Sequence, residues 1–329
     1  MLGATLDRPT GHVTYRIVEP RESGYLSTSD GHEIYFERFG RPGGVPVVYL
    51  HGGPGSGASV STRRYFDPDR FDVVFFDQRG CGQSRPLAEE TDADLSTNTT
   101  KHLIDDMEAL RERCGIERWI VVGWSWGCTL ALAYAETHVE RTRAVLGGLP
   151  TTTSTGEVDW ITRAVGRVFP EQYERFTSYI PVHLRELRNV DAYAELLFDP
   201  DPAVREGAAR EWCAWEEAHV SLAPGYAPNP RYDDPAFRLR FARLVTHYWR
   251  HSAFLDDDQL MAEVHRLSGV PGVLIAGRFD ISGPLYVAWR LHRDWPSSEF
   301  IVLENSGHGD GDEFADAITA ALERLATIS

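Results

Sequence analysis

Short apolar runs alternate with amphipathic segments in the first half of the chain. Residues 46–50, 73–76 and 119–122 are short runs rich in valine, isoleucine and aromatic residues. Such runs are typical of strands buried on both faces of a parallel sheet. Before the third run, apolar residues recur at helical spacing on one stripe, formed by Leu103, Ile104, Met107, Leu110 and Cys114. Upstream, residues 24–39 predict a β-hairpin.

The same alternation returns near the end of the chain. Residues 272–277 and 299–303 are again short apolar runs, and a closing helix carries one apolar face. Alternating strands and helices predict an α/β protein with a doubly wound, mostly parallel sheet.

The pattern changes between residues 150 and 269. This region has no buried-strand runs and is rich in tryptophan, arginine and acidic residues. Its apolar spacing predicts several helices, for example over 201–217 and 235–249. We therefore expect a helical cap of residues 150–269, inserted into a sheet domain made of residues 1–149 and 270–329.

The third apolar run leads into a sharp turn and then into an alanine-rich helix. The turn reads Gly123-Trp124-Ser125-Trp126-Gly127. Gly-x-Ser-x-Gly between a strand and a helix is the nucleophile elbow of the α/β-hydrolase fold, in which the tight turn requires both glycines. The pentapeptide alone would fit a simple glycine-rich turn with a solvated serine, but the strand before it and the helix after it favour a nucleophile.

An acid and a base follow in the order that this fold uses. Asp280 comes directly after the run 272–277, and His308 follows the last apolar run. A serine hydroxyl needs a base to take its proton, and the base needs a carboxylate to orient it. Each residue has a plain alternative, since Asp280 could cap a helix and His308 could be an ordinary loop histidine. Asp310 and Asp312 are reserve candidates for the acid.

Two glycine-rich loops follow the first two buried runs. The loop at residues 51–55 comes after the strand that supplies an oxyanion donor in this fold, so a backbone amide of this loop is a candidate donor beside the Trp126 amide, although the loop could also be a simple Pro-Gly turn. His51 is expected to brace the loop. The second loop, residues 77–84, is expected to be structural, with Asp77 and Arg79 pairing within it.

Composition narrows the function further. The 329 residues carry a formal net charge of −16, which argues against nucleic acid or an anionic membrane as partners and mildly favours a cationic substrate. No apolar run approaches the ~20 residues of a membrane span, and no signal peptide is evident at the N-terminus. Four unpaired cysteines, Cys81, Cys114, Cys128 and Cys213, indicate free thiols in the cytoplasm. We expect neither a metal nor a cofactor.

Together these motifs resemble those of the prolyl iminopeptidases, or proline aminopeptidases, of serine peptidase family S33. The resemblance rests on the loops 51–55 and 77–84, on residues 98–100, on the elbow with the helix after it, and on Phe169-Pro170. It implies a triad of Ser125, Asp280 and His308, with oxyanion donors at Gly53 and Trp126. It also implies removal of an N-terminal residue, often proline, from short peptides with a free amine.

The chain departs from that family at three positions that concern the substrate. Trp124 replaces a glycine beside the nucleophile and adds bulk there. The family holds the substrate amine with two cap glutamates, of which one matches the pair Trp215-Glu216, whereas Val245 occupies the place of the other. An aromatic residue of the family is also lost at Pro150. Loss of a carboxylate that faces an ammonium would weaken amine binding about tenfold or more.

The sequence therefore predicts a serine hydrolase that releases an N-terminal proline or another small residue through an acyl-enzyme. Glu216, Trp124 and Trp215 are the predicted substrate-binding residues. The alternative is an esterase or amidase with the same triad that acts on a specialised small molecule, for example by removing an aminoacyl group. A non-catalytic ligand-binding protein of this fold is a third hypothesis, although binding alone does not require an intact Ser-Asp-His set.

Overall fold

A computed structural model describes residues 14–224, 226–309 and 311–328. Its centre is one sheet of eight strands in the order β1-β2-β4-β3-β5-β6-β7-β8. The strands are β1 (Glu22–Ser27), β2 (Glu33–Gly40), β3 (Val45–Leu50), β4 (Phe71–Phe76), β5 (Trp119–Trp124), β6 (Thr142–Gly148), β7 (Gly272–Gly277) and β8 (Ser298–Leu303).

The strand directions explain the apolar runs of the sequence. From β4 to β8 every neighbouring pair is parallel, while β1 and β2 form an antiparallel hairpin and β2 joins β4 antiparallel. Central strands such as β4 are buried along their whole length, because helices cover both faces of a sheet with parallel connections. The predicted fold class, a doubly wound and mostly parallel α/β-hydrolase sheet, is confirmed.

Ten helices surround the sheet in the described part of the chain. They are α1 (Thr100–Arg113), α2 (Trp126–Thr137), α3 (Thr155–Thr162), α4 (Pro170–Ser178), α5 (Asn189–Leu197), α6 (Pro202–His219), α7 (Pro235–Arg250), α8 (Gln259–Glu263), α9 (Leu285–Asp294) and α10 (Gly311–Leu325). No described helix combines the length and the apolar character needed to cross a bilayer.

The pleat of each strand divides its side chains between two apolar cores. In β3, Val48 and Leu50 pack with residues of α1, α2 and α9. Val47 and Tyr49, which alternate with them, pack on the other face with residues of α10 such as Phe314. Successive residues of a strand point to opposite faces, so each face of the sheet carries a separate core and the loops at the strand ends are held from both sides.

The segment between β6 and β7 is helical, as its apolar spacing predicted. Among residues 150–224 and 226–271 the structure has helices α3 to α8 and no strand. Helices α6 and α7 pack against each other and against α5, around a cluster of buried aromatic rings formed by Phe176, Tyr193, Trp212 and Trp215. The division into a sheet domain and a cap domain stays a prediction.

Helix boundaries in this segment follow from capping. The predicted helices over 201–217 and 235–249 correspond to α6 and α7. Asp201 accepts a hydrogen bond from the Ala203 amide at the start of α6, and Asp234 does the same for the Ala236 amide at the start of α7. Each helix also begins with a proline at its first position, where the missing N–H costs no hydrogen bond.

Candidate active site

Ser125 lies at the turn between β5 and α2 in a strained backbone conformation. Its φ is +56° and its ψ is −128°, a region that L-residues seldom occupy. A Cβ on Gly123 would lie 2.1 Å from the Gly127 carbonyl oxygen, and a Cβ on Gly127 would lie 2.1 Å from the Leu50 carbonyl oxygen. Both glycines are therefore required by the close approach of backbone to backbone.

Asp280 and His308 form a hydrogen-bonded pair beside this turn. Nδ1 of His308 lies 2.8 Å from Oδ2 of Asp280, whose side chain is fully buried. The other carboxylate oxygen, Oδ1, accepts a hydrogen bond of 2.8 Å from the Gly283 amide. A carboxylate acceptor at Nδ1 places the imidazole proton on that nitrogen, so Nε2 is the nitrogen able to take a proton.

Among the reserve candidates for the acid, Asp312 is exposed in α10 and Asp310 lies outside the described residues.

Ser125 stands at the junction of two cavities. Gly53, Ser125, Glu216, Val220 and His308 line both of them. The inner cavity is the smaller and ends against α3 and α7. The outer one has a volume of about 500 Å³. A substrate bound across Ser125 would therefore place a small group on one side of the scissile bond and a larger one on the other.

Helix α6 places a carboxyl group at this junction. Glu216 is 9% exposed and lines both cavities. Burial raises the pKa of its carboxyl group to about 7, since desolvation disfavours the charged form. One turn further along α6, His219 is fully buried in the wall of the inner cavity, with Nε2 3.8 Å from Oε2 of Glu216.

A second carboxyl group, that of Glu157 at the start of α3, lines the inner cavity. Its Oε2 accepts hydrogen bonds of 2.8 Å from both the amide and the hydroxyl of Thr152, and Ser154 completes a capping box with it. Its Oε1 is inaccessible to solvent and has no hydrogen-bond partner among the described residues. Burial raises the pKa of Glu157.

Sequence reasoning did not identify Glu157 or His219 as residues of the site. Ser154-x-x-Glu157 carries the signature of a capping box, which indicates a helix start rather than a ligand. His219 had a usable signal, because residues three apart on a helix share a face and Glu216 was already a candidate.

The two predicted oxyanion donors, Gly53 and Trp126, both line the inner cavity. Gly53 follows β3 and lines both cavities, and Trp126 is the first residue of α2 and lines the inner one. The first amides of a helix have no intrahelical acceptor, so the Trp126 amide is available to a ligand. The Trp126 indole donates a 2.8 Å hydrogen bond to Gln78 Oε1, and the Gln78 amide nitrogen donates to His51 Nε2 at 3.0 Å. His51 therefore braces these loops, as expected.

The two predicted tryptophan contacts differ in position. Trp124 lines the outer cavity and packs against Tyr49, Tyr65 and Phe314. Trp215 lines neither cavity, since its ring is buried within the helical segment and its Nε1 donates to the Ile161 carbonyl at 3.2 Å. The position of Trp215 therefore does not support direct contact with substrate, because consecutive residues of a helix face different directions.

Two of the three departures from the family pattern, Val245 and Pro150, lie outside the cavity walls. Val245 is fully buried in α7, and neither it nor Pro150 lines a cavity. Val245 lies one turn before Trp249, which does line the inner cavity.

The expected pairing of Asp77 with Arg79 is wrong. Asp77 accepts hydrogen bonds from the Ala58 and Gln83 amides, whereas Arg79 pairs with Asp106 of α1 and with Asp30. Residues two apart in a loop bond to the partners that the fold brings near each of them, and here these partners lie on separate elements. The role of both residues is nevertheless structural.

All four cysteines are free thiols. Within the described ranges no group of three or more His, Cys, Asp or Glu side chains is placed to hold a metal ion.

Comparison with known proteins agrees with this fold. Residues 45–315 match a family model described as the alpha/beta hydrolase fold. The chain is thus a hydrolase of that fold.

The relatives define the family more narrowly. The chain is 46% identical over 317 residues to a probable proline iminopeptidase of Streptomyces coelicolor, covering 95% of this chain and 97% of the relative. It is 39% identical over 315 residues to a proline iminopeptidase of Neisseria meningitidis serogroup B, with 94% and 98% covered. A solved structure of a Mycobacterium smegmatis proline iminopeptidase matches with a TM-score of 0.59 at 21% identity, covering 93% of this chain and 99% of that one, and supports the fold. The chain belongs to the proline iminopeptidase family.

Proposed function

We propose that this protein is a serine hydrolase of prolyl iminopeptidase type, which releases an N-terminal proline or another small residue from a short peptide with a free amine. The observation that carries the proposal is that Ser125, His308 and the carboxyl group of Glu216 line one small cavity. The names of the curated relatives at 39–46% identity support the same activity.

The proposed chemistry starts at Ser125. Its Oγ attacks the carbonyl carbon of the N-terminal residue while Nε2 of His308 takes the hydroxyl proton. Asp280 holds the imidazole and stabilises it once it is cationic. The amides of Gly53 and Trp126 donate hydrogen bonds to the developing oxyanion. His308 then gives its proton to the leaving amine, and an acyl-enzyme on Ser125 remains.

A water molecule completes the cycle. His308 accepts a proton from the water as the water oxygen attacks the acyl carbon, and Ser125 leaves with that proton. The free amino acid is released and Ser125 is restored.

The two cavities assign the two halves of the substrate. The N-terminal residue occupies the inner cavity, which Glu157, Ile161 and Trp249 close at its far end. The rest of the peptide lies toward the outer cavity, against aromatic side chains that include Tyr49, Trp124 and Tyr232. The small size of the inner cavity favours a single small residue before the scissile bond, which supports an aminopeptidase rather than an endopeptidase.

Glu216 is the proposed recognition residue for the substrate amine. A carboxylate that accepts a hydrogen bond from an ammonium contributes about 1.5–3 kcal/mol to the free energy of binding.

We place the enzyme in the cytoplasm, where its four free thiols stay reduced. Residues 150–269 act as the cap that closes the cavity.

A panel of substrates tests the proposal. Aminoacyl 2-naphthylamides of proline, alanine and leucine are compared with N-acetylproline 2-naphthylamide and with p-nitrophenyl acetate. We expect proline and alanine derivatives to be cleaved and the N-acetylated derivative to be resistant. Efficient cleavage of the ester without cleavage of any aminoacyl naphthylamide would instead establish the esterase or amidase alternative.

A further inference from the structure

The hydrogen-bond partners of His219 indicate its tautomer. Its Nδ1 lies 2.9 Å from Oγ of Ser282, and Oγ lies 3.1 Å from the His219 carbonyl oxygen. A hydroxyl has one proton to donate, so both contacts are hydrogen bonds only when the hydroxyl donates to the carbonyl and Nδ1 carries the imidazole proton. We assign this tautomer, which leaves Nε2 as an unprotonated acceptor.

This acceptor has no partner in the described part of the protein. Nε2 of His219 is buried and makes no hydrogen bond, while the residue lines the inner cavity. Buried polar atoms are usually satisfied, and one that lacks a partner in the wall of a cavity is a place where a ligand or a water molecule can bind. Burial, with a smaller contribution from His308, lowers the pKa of His219 to about 3, so the ring is neutral at physiological pH.

The nearest carboxyl oxygen is suitably placed to share a ligand with it. Oε2 of Glu216 lies 3.8 Å from Nε2 of His219, which is too far for a direct hydrogen bond. One nitrogen atom can lie about 2.9 Å from both, with an angle of roughly 80° between the two contacts. The N–H bonds of an ammonium diverge at about the tetrahedral angle, so each hydrogen bond bends by only roughly 15°, well within the usual range.

We propose that His219 and Glu216 together accept hydrogen bonds from the terminal ammonium of the substrate, which makes His219 a specificity-determining residue. This inference rests on the proposed aminopeptidase function. Glu216 supplies the negative charge, and the neutral ring supplies a second acceptor without repelling the cation. The secondary ammonium of an N-terminal proline has two N–H groups, and this pair satisfies both.

A purely structural role for His219 would have a different signature. Through Ser282 the ring also contacts the loop that follows Asp280. If His219 acted only by holding that loop, its loss would disturb the catalytic pair and impair every substrate equally. The two roles are separated by comparing substrates that differ only in the amine.

Proline methyl ester and methyl cyclopentanecarboxylate form such a pair, since they share the ester and the ring size and only the first has a nitrogen. We expect His219→Phe to lower kcat/KM for proline methyl ester by about 10- to 100-fold, mainly through KM. The carbocyclic ester should change less than about threefold. His219→Gln, whose side-chain oxygen can accept a hydrogen bond, should recover most of the loss.

His265→Phe is the matched control, because His265 is exposed on another element and the same exchange there should leave both esters unaffected. Ser282→Ala gives a second route should His219→Phe fail to fold. Without the Ser282 hydroxyl the proton is free to move to Nε2, so the loss should again be confined to the proline ester.

Equal loss on both esters in the His219 and Ser282 variants, or no loss on either, would overturn the proposal. Failure of the proposed function itself would appear elsewhere, in a wild-type enzyme that does not favour proline methyl ester over its carbocyclic analogue.

Discussion

The ionisation of the Glu216 carboxyl group sets the pH range in which the site can bind an ammonium. Because its pKa is raised to about 7, the group is mainly protonated below pH 7 and mainly ionised above it in the free enzyme. An ammonium is bound best by the ionised form. Among the titratable groups near it, His219 and His308 carry no negative charge, and burial raises the pKa values of Cys213 and Tyr232, which keeps both neutral near pH 7.

Binding of amine substrates should therefore depend on pH in a defined direction. We expect 1/KM for proline methyl ester to rise as pH increases through about 7 and to fall again once the substrate ammonium loses its proton, at about pH 8 or above for an α-amino group. Methyl cyclopentanecarboxylate, measured in parallel, reports the ionisation of the catalytic base alone. Glu216→Gln should remove the rise near pH 7 that the proline ester shows relative to the carbocyclic ester, and a rise that persists in this variant would mean that another group binds the amine.

Sequence reasoning at the residue scale found candidate site residues where a local motif marks them. Ser125 stands out because its turn has a recognisable glycine pattern, and Asp280 because it follows a strand. His219 and Glu157 were missed because their importance depends on which atoms the surrounding helices leave without partners. Trp215 was predicted to lie in the substrate site because it precedes Glu216 in the sequence, but adjacent residues of a helix point in different directions.

At the scale of elements, the turn from β5 to α2 is held by backbone contacts rather than by side chains. Gly127 lies so close to the end of β3 that a Cβ would overlap the Leu50 carbonyl. Flexible side chains can move aside, but the backbone of a central strand cannot. The elbow is thus predictable from sequence, because only glycine fits.

Two Gly→Ala variants test this account. Gly127→Ala should lower the thermal midpoint by several degrees or prevent folding. Gly156→Ala is the control, because Gly156 lies in α3 with no atom within 4 Å of an added Cβ. There alanine should be neutral or stabilise by up to about 1 kcal/mol. Thermal unfolding followed by circular dichroism measures both, and equal midpoints would show that the turn tolerates a side chain.

At the scale of the whole molecule, the chain carries a net charge of −16. Such a field attracts cations and raises their encounter rate, and salt screens it over about 10 Å at 0.1 M.

The alternation of strands and helices predicted the sheet of this molecule well, since strands buried on both faces produce continuous apolar runs in the sequence. The arrangement of α3 to α8 was not predictable, because amphipathic helices pack in many orders.

The charge leads to an ionic-strength prediction. Raising the salt concentration from about 0.02 to about 0.5 M shortens the Debye length and so screens the surface charge. This should lower kcat/KM for cationic proline methyl ester by a few-fold. Neutral methyl cyclopentanecarboxylate should respond much less. An equal decline in kcat/KM for both esters would indicate a general effect of salt on the enzyme, not electrostatic attraction of the cationic substrate.

The central claim is that Ser125 is the nucleophile, and covalent labelling tests it most directly. The protein is incubated with a fluorophosphonate, digested, and the labelled peptide is located by mass spectrometry. We predict a single label on Ser125, loss of activity in proportion to labelling, and no label on a folded Ser125→Ala variant. A label on a different serine, or a folded Ser125→Ala protein that retains full activity, would contradict the account.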